Sequence, residues 1–184
     1  MNYLETYQNL FTLEEHYNDH VVDKGRYDYV LNHISKNNYQ NMIDISSGRG
    51  CLINYIKKEY INIDITSTDL FKFNNIENIN FIQLDLTNSN DYTNITQKYD
   101  LLTCLDVLEH VEEEFIDQIF ELFIRLSDNF CFSIANHSDI HNDIDLHLIQ
   151  KEKDWWTDKI LKYFKIIETF NYYPNLYNYI LIRS

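Results

Sequence analysis

Residues 41–51, Asn-Met-Ile-Asp-Ile-Ser-Ser-Gly-Arg-Gly-Cys, constrain this chain more than any other stretch. An apolar run reaches an Asp, crosses a Ser/Gly turn and opens into a helical pattern. That order predicts strand, tight turn and helix, with the main chain brought close to a ligand. Two of the three glycines in the 184 residues, Gly48 and Gly50, lie here. A residue without a Cβ admits unusual φ/ψ and close approach of the backbone. Taken alone, the segment is equally compatible with an ordinary strand-to-helix turn, and the acidic residues downstream separate the two readings.

The hydrophobic pattern on either side is that of alternating helices and strands. Residues 3–17 carry Leu4, Tyr7 and Phe11 at helical spacing, and 26–34 place Tyr27, Val30, Leu31 and Ile34 on one face, with Asp23 available as a cap before Gly25. After the glycine turn a helix is predicted from about 51 to 60, burying Leu52, Tyr55 and Ile56. Strands are expected at 42–46, 61–66, 79–84 and 99–105, leading to Asp44, Asp69, Asp85 and Asp106. Val111, Phe115, Ile116, Ile119, Phe120, Phe123 and Leu126 predict one long amphipathic helix before a fifth strand at 130–135. Trp156, Ile160, Leu161 and Phe164 define the last helix, with Trp156 in its core and Trp155 partly buried. Strands at 165–173 and 176–182 are separated only by Pro174-Asn175, a junction that joins antiparallel neighbours and has no room for a crossover helix.

The fold class that follows is α/β: a doubly wound, seven-stranded, mostly parallel sheet with an antiparallel C-terminal hairpin strand and helices on both faces. Such sheets bind ligands at the carboxyl ends of their strands, near the switch point. The four aspartates all point there. The length and a 45% hydrophobic content predict one domain over 1–184. With 29 acidic against 15 basic residues, the formal net charge of −14 repels nucleic acid before contact, so DNA and RNA are not expected as partners. Cys51, Cys104 and Cys131 sit at no metal-ligand spacing and read as reduced core residues. The beginning of the sequence shows no leader pattern and no run reaches the length of a membrane span, which predicts a cytoplasmic protein without membrane contact. The oligomeric state stays open.

Asp69 lies 25 residues beyond Asp44, close to the offset of about 20 at which an acid meets ribose hydroxyls in nucleotide-binding sheets. Ile53 stands where a dinucleotide loop would have its third small residue, and the chain has no Gly-x-x-x-x-Gly-Lys-Ser/Thr phosphate loop. With these residues in view, the chain resembles the class I S-adenosylmethionine-dependent methyltransferases over roughly residues 24–183. Ile43-Asp44-Ile45-Ser46-Ser47-Gly48-Arg49-Gly50 is similar to their first motif, Ser46 standing where a glycine is usual. Thr68-Asp69-Leu70 matches the ribose acid, and Leu84-Asp85-Leu86 the pair that reads the adenine amino group. The run from Tyr99-Asp100 through Leu105 to Asp106-Val107-Leu108-Glu109-His110-Val111 resembles the fourth-strand motif, whose Leu-Glu-His ending is frequent in members acting on small molecules.

The resemblance implies a Rossmann-like fold, S-adenosyl-L-methionine as cofactor and S-adenosyl-L-homocysteine as product. It implies cofactor contacts from Asp44, Ser46, Gly48, Gly50, Asp69, Leu70, Asp85, Leu86 and Leu105. Helix amides after Gly50 would receive the methionine carboxylate. Arg26 either adds a charge to that contact or is a solvated helix-surface residue. Residues 1–40 are expected to form a lid over cofactor and substrate, and 136–156 a substrate-side insertion.

Methyl transfer is an in-line displacement that needs alignment, exclusion of water, and a base only where the nucleophile must lose a proton. His147 in the Leu-His stretch before the last helix is the first candidate for that base, with Asp106 and His137 behind it. His110 reads as a residue holding its loop. The crowding of His137, Asp139, His141, Asp143, Asp145 and His147 invites a metal, but a polar loop in an acidic protein produces such clusters readily, and no metal is expected. Tyr, Trp, His and Asn in 1–24 and 136–156 suit ring faces and hydroxyls, so the expected acceptor is a small molecule, first a sugar or glycan hydroxyl. A basic amine or peptide, or service as a non-catalytic cofactor-binding subunit, are the alternatives.

Overall fold

The computed structural model describes residue 9, 26–60, 62–73, 76–141, 143–171 and 173–184. The helix expected over 3–17, the Asp23 cap and most of the lid over 1–40 lie outside the described residues.

Helix α1 (Asp28–Lys36) is followed by β1 (Asn41–Ile45), the glycine turn, α2 (Cys51–Glu59), β2 (Asp64–Asp69) and β3 (Asn80–Gln83). The chain then crosses to β4 (Leu101–Leu105), passes two 3₁₀ turns, and continues through α3 (Ile116–Leu126) to β5 (Asn129–Ala135). A small hairpin, β6 (Ile140–His141) and β7 (Ile144–Asp145), precedes α4 (Lys153–Ile160) and the closing pair β8 (Phe164–Asn171) and β9 (Leu176–Arg183). The main sheet has seven strands in the order β3-β2-β1-β4-β5-β9-β8. Pairings from β3 through β5 are parallel, and β9 runs antiparallel to both β5 and β8. The expected α/β architecture is therefore present, and its switch point falls between β1 and β4.

Alternation along each strand sends neighbouring side chains to opposite faces, and two buried clusters result. Met42, Leu101, Cys131 and Ile180 meet Tyr29, Val30 and Ile34 of α1 and Leu52, Ile53 and Ile56 of α2. Ile43, Leu102, Phe130, Phe132 and Tyr179 meet Ile119, Phe120 and Phe123 of α3 and Trp156 and Ile160 of α4. Helices thus cover both faces. Phe120 anchors the second cluster, edge-on to Phe164 at 5.1 Å and parallel to Phe132 at 6.0 Å.

The boundaries differ from the sequence reading where tertiary packing overrides local pattern. Helix α1 buries Tyr29, whose hydroxyl donates to the Phe132 carbonyl at 3.2 Å, while Tyr27 is only half-buried. Tyr55 is half-exposed and donates to Asp28 at 2.7 Å, and Ile53 takes its place in the core. The predicted long helix from Val111 is a regular helix only from Ile116, since 3₁₀ turns at Leu108–His110 and Glu113–Phe115 come first. Phe164 begins β8 instead of ending a helix, and Leu161 is 52% exposed. Trp156 is fully buried and Trp155 partly so, as expected. No described helix is long and apolar enough to cross a membrane.

Candidate active site

The turn after β1 is built by backbone left in unusual conformations. Ser46, Gly48 and Gly50 have φ of 52°, 52° and 77°. For the glycines this is free of steric cost, whereas Ser46 keeps a Cβ in the left-handed region. Ser46, standing where a glycine is usual, thus carries a strain that a glycine would not. Its position is held from β2: the Ser46 amide donates to Thr68 Oγ1 at 3.2 Å and the Ser47 amide to the Thr68 carbonyl at 2.8 Å. Gly50 is the N-cap of α2 and gives its first amides no side-chain cap.

A cavity of about 620 Å³ opens over the carboxyl ends of the parallel strands. Of the expected cofactor residues, Asp44, Ser46 and Gly48 line it from β1 and its turn, and Asp69 and Leu70 from β2. Asp85 and Leu86 line it beyond β3, and Leu105 from β4, with Arg26 at the start of α1. Gly50 does not reach the cavity wall and acts on the turn instead. Cys51, expected in the core, is half-exposed and lines the cavity, while Cys104 and Cys131 are buried.

The aspartates differ in their surroundings. Asp69 accepts the Gly48 amide at 2.7 Å and the Leu70 amide at 2.8 Å. Burial nevertheless raises its pKa to about 6, with the backbone donors pulling the other way. Asp44 is raised to about 7 by burial, although Thr103 Oγ1 donates to it at 2.5 Å. Asp85 uses one carboxylate oxygen for its own turn, accepting from the Thr87 amide at 2.8 Å and the Thr87 hydroxyl at 2.7 Å. Strand β3 stops two residues short of it, and the strand-end aspartates are therefore not equivalent.

Asp106 follows β4 with φ 54°. Its carboxylate accepts the Ser133 hydroxyl at 2.5 Å and is ion-paired with the Arg26 guanidinium. With its carboxylate engaged by Ser133 and Arg26, Asp106 reads as a positioning group for Arg26 more than as a base. Arg26, read either as a contact to the cofactor carboxylate or as a solvated helix-surface charge, lines the cavity ion-paired with Asp106.

The opposite wall is histidine. His110, His137 and His147 all line the cavity, with ring centroids 4.5 Å apart for His110 and His147 and 4.9 Å for His137 and His147. His147 Nδ1 faces the His137 carbonyl at 2.5 Å and His110 Nδ1 the Leu146 carbonyl at 3.0 Å. Burial lowers both imidazoles, His110 to about 4, so both are neutral near pH 7. Sequence reasoning did not single out Glu109. It is fully buried: its carboxylate accepts the Ala135 amide at 2.8 Å, and its carbonyl accepts the amides of Leu148 at 2.7 Å and Ile149 at 3.0 Å. Burial raises its carboxyl to about 8. Its only signal in the sequence was its place in Leu-Glu-His.

No family model and no curated protein matches the sequence. The fold has many solved neighbours. The N-methyltransferase NodS from Bradyrhizobium japonicum, in complex with S-adenosyl-L-homocysteine, superposes with a TM-score of 0.73 at 10% identity, over 100% of both chains. The N-terminal domain of EvdMO1, solved in the presence of S-adenosylhomocysteine and D-fucose, gives 0.61 at 11% identity over 90% of this chain and 84% of that one. The 16S rRNA methylase ArmA gives 0.59 at 18% over 100% and 99%. The architecture is therefore the class I S-adenosylmethionine-dependent methyltransferase fold, with the Rossmann-like sheet and antiparallel closing strand read from the sequence.

Proposed function

We propose that the chain binds S-adenosyl-L-methionine in this cavity and transfers its methyl group to a small hydroxylated molecule, first of all a sugar or glycan hydroxyl. The observation that carries the reading is Asp69, a carboxylate fixed at the end of β2 by the amides of Gly48 and Leu70 and facing the cavity. Two vicinal ribose hydroxyls find an acceptor pair there, and the α2 amides offer donors to the methionine carboxylate. Asp85, Leu86 and Leu105 supply the adenine side. The cavity volume lies within the range of about 300–1,000 Å³ usual for small-molecule sites.

The acceptor would enter on the side of His137, Asp139 and His147, contributed by the 136–156 insertion. Proton loss from its hydroxyl would take place at that histidine wall, not at the ion-paired Asp106. The neighbour solved with D-fucose supports a sugar, and a net charge of −14 disfavours RNA. That charge also favours a cationic amine by attraction, which keeps N-methylation as the second reading. The test offers methyl-labelled cofactor to a panel of sugars, nucleotide-sugars, phenols, amines and RNA. Label on sugars is the expected result; label on amines alone would select the second reading, and absence of cofactor binding by calorimetry would refute both.

A further inference from the structure

Glu109, His110 and His147 each offer one ligand-type atom, and these atoms all lie within 4.8 Å of one another. They come from the turn after β4 and from the segment after β7, so the fold brings them together and the sequence does not. Of the alternating acids and histidines over 137–147, only His147 joins the group.

Three details make the trio more than a cluster. Glu109 Oε1 has a partner in the Ala135 amide, but Oε2 is buried with no hydrogen-bond donor among the described residues. A buried carboxylate oxygen left so is costly, and a cation is one group that satisfies it. The two imidazoles are also set in one tautomer. A carbonyl can only accept, so Nδ1 of His110 and Nδ1 of His147 each carry the hydrogen they donate to Leu146 and His137. Each ring therefore has its lone pair on Nε2. A backbone carbonyl that takes the other ring N–H is the usual outer partner of a metal-ligating histidine.

We propose that Glu109, His110 and His147 form a binding site for a divalent transition-metal ion whose open coordination positions face the cavity and take an oxygen of the methyl acceptor. Two nitrogens and one carboxylate oxygen suit zinc, manganese, iron(II) or cobalt better than magnesium or calcium. The role in turnover rests on the function proposed above, whereas the ion site itself does not. A hydroxyl bound to the ion gives its proton to water more readily. Its oxygen then forms the bond to the methyl carbon as the carbon–sulfur pair leaves on sulfur. The products are the methyl ether, S-adenosylhomocysteine and one proton.

The test titrates chelator-treated protein with cobalt(II) and zinc(II), read by visible absorption and calorimetry, without cofactor or acceptor. Saturable one-to-one binding is expected, weakened at least about 100-fold in His147→Ala and in Glu109→Gln. His141→Ala, on the same segment but outside the trio, should retain it. Calorimetry with S-adenosylhomocysteine on the same samples shows that the variants are folded and tests the cofactor reading separately. Absence of saturable binding in the parent protein, or affinity unchanged in His147→Ala, overturns the ion site and leaves the methyltransferase reading standing.

Discussion

The amide of Gly48 donates a 2.7 Å hydrogen bond to Oδ2 of Asp69, so the glycine turn after β1 and the acid at the end of β2 form one unit. With the Leu70 amide on Oδ1 at 2.8 Å, the carboxylate has its direction fixed before any ligand arrives. A site organised this way loses little entropy on binding.

Replacing Asp69 by Ala should weaken S-adenosylhomocysteine binding by well over tenfold, since hydrogen bonds to a charged acceptor contribute about 1.5–3 kcal/mol each. Because Asp69 is raised to about 6 and ribose hydroxyls need the ionised acceptor, affinity in the parent should climb as pH rises through that value and level off above it. Asp69→Asn should flatten the dependence. Calorimetry across the range checks both, and equal affinity in the Ala variant would remove Asp69 from the cofactor site.

Asp44 gives a prediction about stability. Its pKa is raised to about 7 by burial, so the folded state keeps a proton that the unfolded chain releases above about pH 4. The contribution is complete below the unfolded value and declines as pH rises through the folded one, by about 1.4 kcal/mol for each unit of pKa difference. Asp69 and Glu109, also raised, act in the same direction. Below about pH 6.5 the lowered His110 and His147 act in the opposite direction, so the melting temperature of the ligand-free protein should fall between about pH 6.5 and about pH 8. Asp44→Asn should reduce the slope and melt higher at the alkaline end; a melting temperature that climbs with pH over that range would contradict the argument.

Ser46 at φ 52° gives the third. A Cβ in the left-handed region costs about 1–2 kcal/mol, and glycine's greater freedom in the unfolded chain offsets about half of that. Ser46→Gly should thus stabilise the protein by about 0.5–1 kcal/mol, seen as a higher denaturant midpoint with an unchanged slope. A lower midpoint would mean that the serine side chain contributes more than its conformation costs.

The strand–turn–helix at 41–59 and the C-terminal pair were legible because each rests on local chemistry: apolar runs, turn residues, and a junction too short for a helix. Asp69, Gly48 and Asp44 were legible for the same reason, each standing at a fixed offset from the end of a strand. Glu109 was not. A glutamate next to a histidine, just ahead of Glu112-Glu113-Glu114, has the local mark of an exposed residue, and its burial depends on the end of β5 and on Leu148–Ile149, 26 to 40 residues away. Tyr29 was passed over for Tyr27 because both satisfy a helical stripe, and only the approach of Phe132 chooses between them. The strands β6 and β7 have two residues each, below the length at which alternation can be read.

Glu109 grips both ends of the polar segment after β5, the Ala135 amide with its carboxylate and the Leu148 and Ile149 amides with its carbonyl. What lies between is suspended from two fixed posts, like the deck of a footbridge. Residues can be exchanged, added or lost along that deck while the posts, and the histidines beside them, stay where the sheet puts them. A descendant of this chain could therefore acquire a taste for a different acceptor by rewriting a single short span, with the cofactor half of the cavity inherited intact.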